Sequence, residues 1–198
     1  MTQVLVIHGG NAFETNEEYF SYLQNKELSL EDLKFKGWKD NLAKNLGEGY
    51  EVIAPRMPNS QDARYKEWKI WLEKVINLLD DDLVLIGHSL GGICITKYLS
   101  ENISPKKIKA TFLVAAPFNS EGKHPLVDFV LSENISALEK QGGQIHIYHS
   151  KDDAVVPYSN CEDYQKALPS ATLRTFTDRG HFHQPDFPEI IDDLKSLN

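Results

Sequence analysis

Six short runs of aliphatic and β-branched residues recur along the chain, with helix-like segments between them. The runs are "QVLVIH" around residue 5, "YEVIAP" around 52, "LVLIGH" around 85, "ATFLVAAP" around 113, "QIHIYHS" around 147 and "ATLRTF" around 174. Most are continuously apolar rather than alternating, the pattern of strands covered on both faces of a parallel sheet. Between them, "YKEWKIWLEKVINLL" places Trp68, Trp71, Leu72, Val75 and Leu79 at three- and four-residue steps, which predicts an amphipathic helix. "NLAKNLGEGY" ends on glycines where a helix C-cap is wanted, and "SENISALEKQGG" and "FPEIIDDLKSL" continue the alternation. Strands alternating with helices predict a three-layer α/β architecture, a mostly parallel sheet of about six strands with helices on both faces and right-handed crossovers.

A chain of 198 residues with no repeat or linker is expected to form one domain, 1–198, around one core. The net charge of -8 argues against nucleic acid or an anionic membrane as a partner, since both demand clustered Lys and Arg. No apolar run approaches the ~20 residues of a membrane span. The opening "MTQVLVIHGG" lacks a basic stretch and a long apolar core, so no signal peptide is expected. The spacing of Cys94 and Cys161 suggests neither metal nor a disulfide framework. A cytoplasmic setting follows as the expectation.

One stretch exceeds the minimal pattern. The link from Asn11 to Lys36 is longer than the ~12 to 15 residues usual for an unstructured loop. Thr15 and Glu18 stand at capping-box spacing, and Ser29 and Asp32 repeat it. A helical insertion at about 13–36 is predicted, an added helix followed by a lengthened first core helix.

The chemistry-bearing stretch is "LVLIGHSLGGICITKYL". Ser89 sits between glycines where the third apolar run breaks and a helix begins. It reads either as a helix cap or as the serine of a nucleophile elbow, where Gly87 and Gly91 would relieve collisions of the sharp turn with itself and with a neighbouring strand. A serine nucleophile needs a base, and the base an orienting acid, in the chain order Ser, Asp or Glu, His. Asp152 and Asp153 in "HSKDDAVVP" and His181 and His183 in "TDRGHFHQP" supply that order from loops that follow strands.

Together, "GHSLGG", "HSKDDAVVP", "DRGHF" and the earlier "APRMPN" resemble an α/β-hydrolase, and within that fold the small lidless serine hydrolases of the RBBP9/YdeN type. The resemblance spans almost the whole chain. It implies that the acid stands four residues before the proline, which selects Asp153 and leaves Asp152 as a turn or cap residue. It implies that the base follows a glycine, which selects His181 and leaves His183 as pocket wall or surface. "VIHGGN" resembles the family's oxyanion loop, so the donors are assigned to the N–H groups of Leu90 and Gly10, with Asn11 the alternative to Gly10. His8 suits a structural hydrogen bond, and the His88 side chain is expected to point away from the reacting face. The insertion departs from the family pattern and could partly cover the pocket. Too little chain lies between Pro117 and Gly143 for a large cap, so a shallow, open pocket is expected.

The expected function is that of a cytoplasmic serine hydrolase cleaving a small carboxylic ester or related acyl compound through an acyl-enzyme. Amide cleavage, as by an aminopeptidase, or thioester cleavage with the same residues is the nearest alternative. A protein-binding module without activity is the alternative of a different class. His124, His146 and His149 have no metal-ligand spacing to carboxylates or cysteines, and there is no phosphate loop. No metal or cofactor is expected, and the partner is a small-molecule acyl substrate.

Overall fold

A computed structural model describes residues 1–119 and 125–197. All six runs become strands: β1 (Thr2–Ile7), β2 (Tyr50–Ile53), β3 (Leu83–His88), β4 (Ile108–Val114), β5 (Gln144–Ser150) and β6 (Thr172–Phe176). They form one parallel sheet in the order β2-β1-β3-β4-β5-β6. The winding reverses between β1 and β3, and ligands of open α/β sheets bind at the carboxyl ends of strands beside such a switch. The loop after β1 and the turn at Ser89 flank that point.

The helices are α1 (Asn16–Asn25), α2 (Leu30–Lys34), α3 (Trp38–Leu46), α4 (Tyr65–Asn77), α5 (Leu90–Glu101), α6 (Ser136–Gln141), α7 (Ser159–Ala167) and α8 (Pro188–Lys195). Successive strand residues point to opposite faces, so the continuous runs feed two cores. Leu5, Ile7, Leu85, Leu113 and Ile147 meet Trp68, Leu72, Ile93, Leu138 and Tyr164 from α4 to α7. Val4, Val6, Val84, Ile86, Phe112 and Tyr148 meet Trp38, Leu42, Ile190 and Leu194 from α3 and α8. Helix α7 was not anticipated: "SNCEDYQKA" is polar overall and buries chiefly Cys161 and Tyr164. Helix α4 begins at Arg64 without a side-chain cap of its own. Asp128, in the short 3-10 turn Val127–Phe129, accepts the N–H groups of Tyr65 at 2.9 Å and Lys66 at 3.4 Å in its place.

The insertion is helical, but the lengthened first helix is corrected to two. The chain leaves helical geometry at Phe35 and restarts after Gly37, whose extended backbone lets its N–H donate to Asp40 at 2.9 Å. Glycine is a poor helix residue, and the restart turns Trp38 inward. There its ring is buried, with its Nε1–H on the Phe182 carbonyl at 3.0 Å. Ser29 and Asp32 form the predicted capping box on α2. At α1 Thr15 accepts the Glu18 N–H, but the Glu18 carboxylate takes the N–H of Glu14 rather than that of Thr15. Neither α1 nor α2 buries a residue. Among the described residues no helix is long and apolar enough to cross a membrane. His124 lies outside the described residues.

These two environments set opposite expectations for truncation. Trp38→Ala empties a core site and strands the Phe182 carbonyl, and should lower the unfolding free energy by about 3–5 kcal/mol. Leu33→Ala on exposed α2 should stay within about 0.5 kcal/mol. Urea midpoints at unchanged slope would measure both, and comparable losses would mean that the insertion belongs to the core.

Candidate active site

The sharp turn between β3 and α5 is set by what surrounds it. Ser89 adopts φ 54 and ψ -124, a sparsely populated backbone for a residue with a Cβ. A Cβ at Gly87 would lie 2.6 Å from the Gly91 carbonyl oxygen, and one at Gly91 would lie 2.2 Å from the Ile7 carbonyl oxygen. The first glycine therefore lets the turn fold on itself, and the second lets α5 rest on the end of β1. Ser89 occupies the cap position of α5 but makes no side-chain cap bond. Among the described residues its hydroxyl has no hydrogen-bond partner, so the capping explanation of this serine fails.

Asp153 and His181 meet across the ends of β5 and β6. His181 Nδ1 donates to Asp153 Oδ2 at 2.8 Å, and Asp153 Oδ1 accepts the N–H groups of Val155 at 2.8 Å and Val156 at 2.9 Å. Burial works against the charge of this carboxylate. The bond from His181, its charge and the two backbone donors outweigh burial and hold the group below its ordinary range. With Nδ1 committed, His181 Nε2 remains without a hydrogen-bond partner among the described residues. Asp152 instead turns to the His181 loop backbone: its Oδ1 accepts the Gly180 N–H at 3.0 Å and the Ser150 hydroxyl.

That loop is tied from several sides. Ser150 Oγ accepts the Arg179 N–H at 3.1 Å, His88 Nε2 donates to the His181 carbonyl at 2.9 Å, and Trp38 donates to that of Phe182. His88 is buried and its imidazole held well below its ordinary pKa, first by burial and then by the nearby charge of Lys39. Contrary to the expectation that it points away from the reacting face, His88 forms part of the wall of the cavity that holds Ser89, its ring 5.0 Å from that of His181.

Ser89 and His181 share a cavity of about 460 Å³, which also takes in Gly9, Gly10, Leu90, His183, Tyr22 from α1 and Lys26 just after it. The insertion thus reaches the cavity wall. His8 holds the loop after β1 in shape: its Nε2 accepts the Met57 N–H at 2.9 Å, leaving Nδ1 to donate to the Gly9 carbonyl at 2.6 Å. The Asn11 N–H is spent on the Ser60 carbonyl at 2.9 Å. Among the described residues, no hydrogen bond uses the N–H of Gly10 or Leu90. Sequence reasoning missed Lys39, whose Nζ donates to His88 Nδ1 at 3.2 Å on the cavity wall. It missed the part of His149 as well, which packs 3.8 Å behind Asp153 and donates to the Val156 carbonyl. No local motif marks either residue, because each acts through a contact distant in sequence or through burial.

Comparison with known proteins finds relatives in sequence and in fold. The rat (Rattus norvegicus) protein named serine hydrolase RBBP9 is 28% identical over 171 residues, spanning 84% of this chain and 89% of its own. The solved structure of the ydeN gene product from B. subtilis aligns with a TM-score of 0.71 at 22% identity, over 100% of this chain and 98% of the other. An esterase from Exiguobacterium antarcticum aligns with a TM-score of 0.63 at 18% identity, over 99% and 91%. Both share the fold, which is that of the α/β-hydrolases. The family model described as "Serine hydrolase" matches residues 30–186, from the insertion to beyond His181. The chain belongs to the serine hydrolase family.

Proposed function

We propose that the chain hydrolyses a small carboxylic ester or related acyl compound through an acyl-enzyme on Ser89. The observation that carries this reading is the Asp153–His181 pair opening, through a free Nε2, on the cavity that holds an unpartnered Ser89 hydroxyl. His181 Nε2 takes the Ser89 proton as Oγ bonds to the substrate carbonyl carbon. The carbonyl oxygen becomes an oxyanion, which accepts from the N–H groups of Leu90 and Gly10. One such donor is typically worth ~3 to 4 kcal/mol of transition-state stabilisation, and Leu90 adds the positive end of the α5 dipole. Collapse breaks the bond to the leaving group, which departs with the proton from His181. Water then repeats the sequence on the acyl-enzyme and restores Ser89. Asp153 keeps the imidazole in the tautomer that presents Nε2 and stabilises the imidazolium. Ser89 and His181 have no direct hydrogen bond without substrate, a looseness common before a Michaelis complex forms.

Ser89→Ala should remove both ester turnover and covalent labelling by a fluorophosphonate, with an unchanged unfolding midpoint. Because the three residues act as one unit, adding His181→Ala or Asp153→Asn to Ser89→Ala should cost almost nothing more. Multiplicative losses in kcat/KM would disprove the unit.

The two aspartates separate cleanly. Asp153→Asn should cost far more than Asp152→Asn, whose loss should stay under ~10-fold, about 1.4 kcal/mol. The reverse order in kcat/KM would transfer the orienting role to Asp152.

Acyl length gives a third test. Apolar side chains, among them Leu90, Leu126, Val155 and Val156, wall only part of a cavity of about 460 Å³, so the roughly 0.8 kcal/mol gained per buried methylene should stop accruing once that wall is covered. Acetyl and butyryl p-nitrophenyl esters should be cleaved with higher kcat/KM than the palmitoyl ester. A continuous rise to long chains would contradict a small-acyl pocket.

A further inference from the structure

The chain carries a net charge of -8, yet the cavity beside Ser89 is lined by Lys26, Lys39 and four histidines. Among the described residues no carboxylate faces it. Asp153 stands behind His181, with both oxygens engaged. The two lysines place positive charge in a cleft of a negatively charged molecule, an arrangement that selects its ligand by charge.

Within that wall Lys39 is the distinctive group. Its neighbour Asp40 spends a carboxylate oxygen on the Gly37 N–H, and among the described residues Lys39 forms no ion pair, unlike Lys97, Lys107 and Lys166. Its polar partner is the uncharged Nδ1 of His88, which takes one of the three ammonium protons. Burial pushes the ammonium down to about 8, so it keeps its proton at neutral pH while poorly solvated. Holding His88 does not explain a charge at this position. That imidazole is already anchored to the His181 carbonyl, and the cation beside it disfavours its protonation. Burial lowers His183 as well. Lys26 is exposed at the end of α1, where it bonds the Tyr22 hydroxyl at 2.9 Å.

We propose that the substrate is an ester or related acyl compound bearing a free carboxylate, and that Lys39 is the specificity-determining residue that receives it. This rests on the reading of Ser89 as the nucleophile. The carboxylate supplies a counter-charge on the cavity side, beyond the more distant charge of Asp40 and the Trp38 ring, completes the donors left on Nζ, and restores the solvation that burial withdraws. It resides on the acyl group or on the leaving group, since Ser89 and Lys39 line the same cavity.

Two matched pairs test it with the full chain. Mono-p-nitrophenyl glutarate against its methyl ester probes the acyl side, and 4-acetoxybenzoate against its methyl ester probes the leaving-group side. In at least one pair, the kcat/KM ratio of charged to neutral ester should fall at least tenfold in Lys39→Gln and be largely kept in Lys39→Arg. General damage to the site cancels in the ratio. Ratios within twofold of wild type in both pairs, with turnover still dependent on Ser89, would overturn the inference and leave the nucleophile reading standing. Turnover that survives Ser89→Ala, or no turnover of any ester, would defeat the nucleophile reading instead. Calorimetric titration, with glutarate if the acyl pair responds and with 4-hydroxybenzoate if the leaving-group pair does, then decides the anion site independently. Binding weakened at least fivefold in Lys39→Gln supports it, and equal binding overturns it.

Discussion

The contact on which the site depends is between the backbones of Gly91 and Ile7. With no Cβ to intervene, the first turn of α5 sits on the carboxyl end of β1, and three consequences follow. The turn out of β3 must be tight enough to drive Ser89 into an unfavourable backbone region, at a cost of order 1–3 kcal/mol. The hydroxyl is thrust out of the sheet's end instead of folding back as a cap. The free N–H of Leu90 comes alongside the loop that carries Gly10. Such strain persists because β3 is buried along its whole length and paired on both sides, so the core over-determines the path of the chain into the turn.

Much of this was legible in the sequence. Strands covered on both faces have to be apolar, which is why β3 and β4 stand out as continuous runs, whereas the edge strands β2 and β6 are partly exposed and show as shorter β-branched stretches. The glycines of the turn report steric collisions that any reader of "GHSLGG" can anticipate. What stayed hidden depends on contacts distant in sequence. The cap on α4 comes from Asp128, so nothing beside Arg64 announces the helix start. The break at Gly37 is fixed by where Trp38 must go, and α7 has too narrow a buried stripe to stand out. The aspartates of "KDD" could be ranked only through resemblance to a family. Geometry distinguishes them because Asp153 gathers two backbone N–H groups beneath His181, while Asp152 reaches the loop that carries it.

The supports of His181 show how fold and chemistry are joined. The backbone from Arg179 to Phe182 is held by Ser150, Asp152, His88 and Trp38, which belong to β5, the loop after it, β3 and α3. Phe182 is buried at a positive φ of 55, packed against Phe176 and Phe187. The role proposed for His181, proton transfer at a fixed atom, favours a side chain carried on backbone that cannot drift. Here the restraint comes from residues with no part in bond making. It also explains why the insertion can be loosely packed without loosening the site. Helix α1 contributes Tyr22 to the cavity wall, and none of the residues that hold the His181 loop by these bonds lies on α1 or α2, whereas α3, entered through Gly37, contributes Trp38 to the loop and Lys39 to the wall. The break between α2 and α3 thus divides a surface elaboration from the element that holds the His181 loop in register.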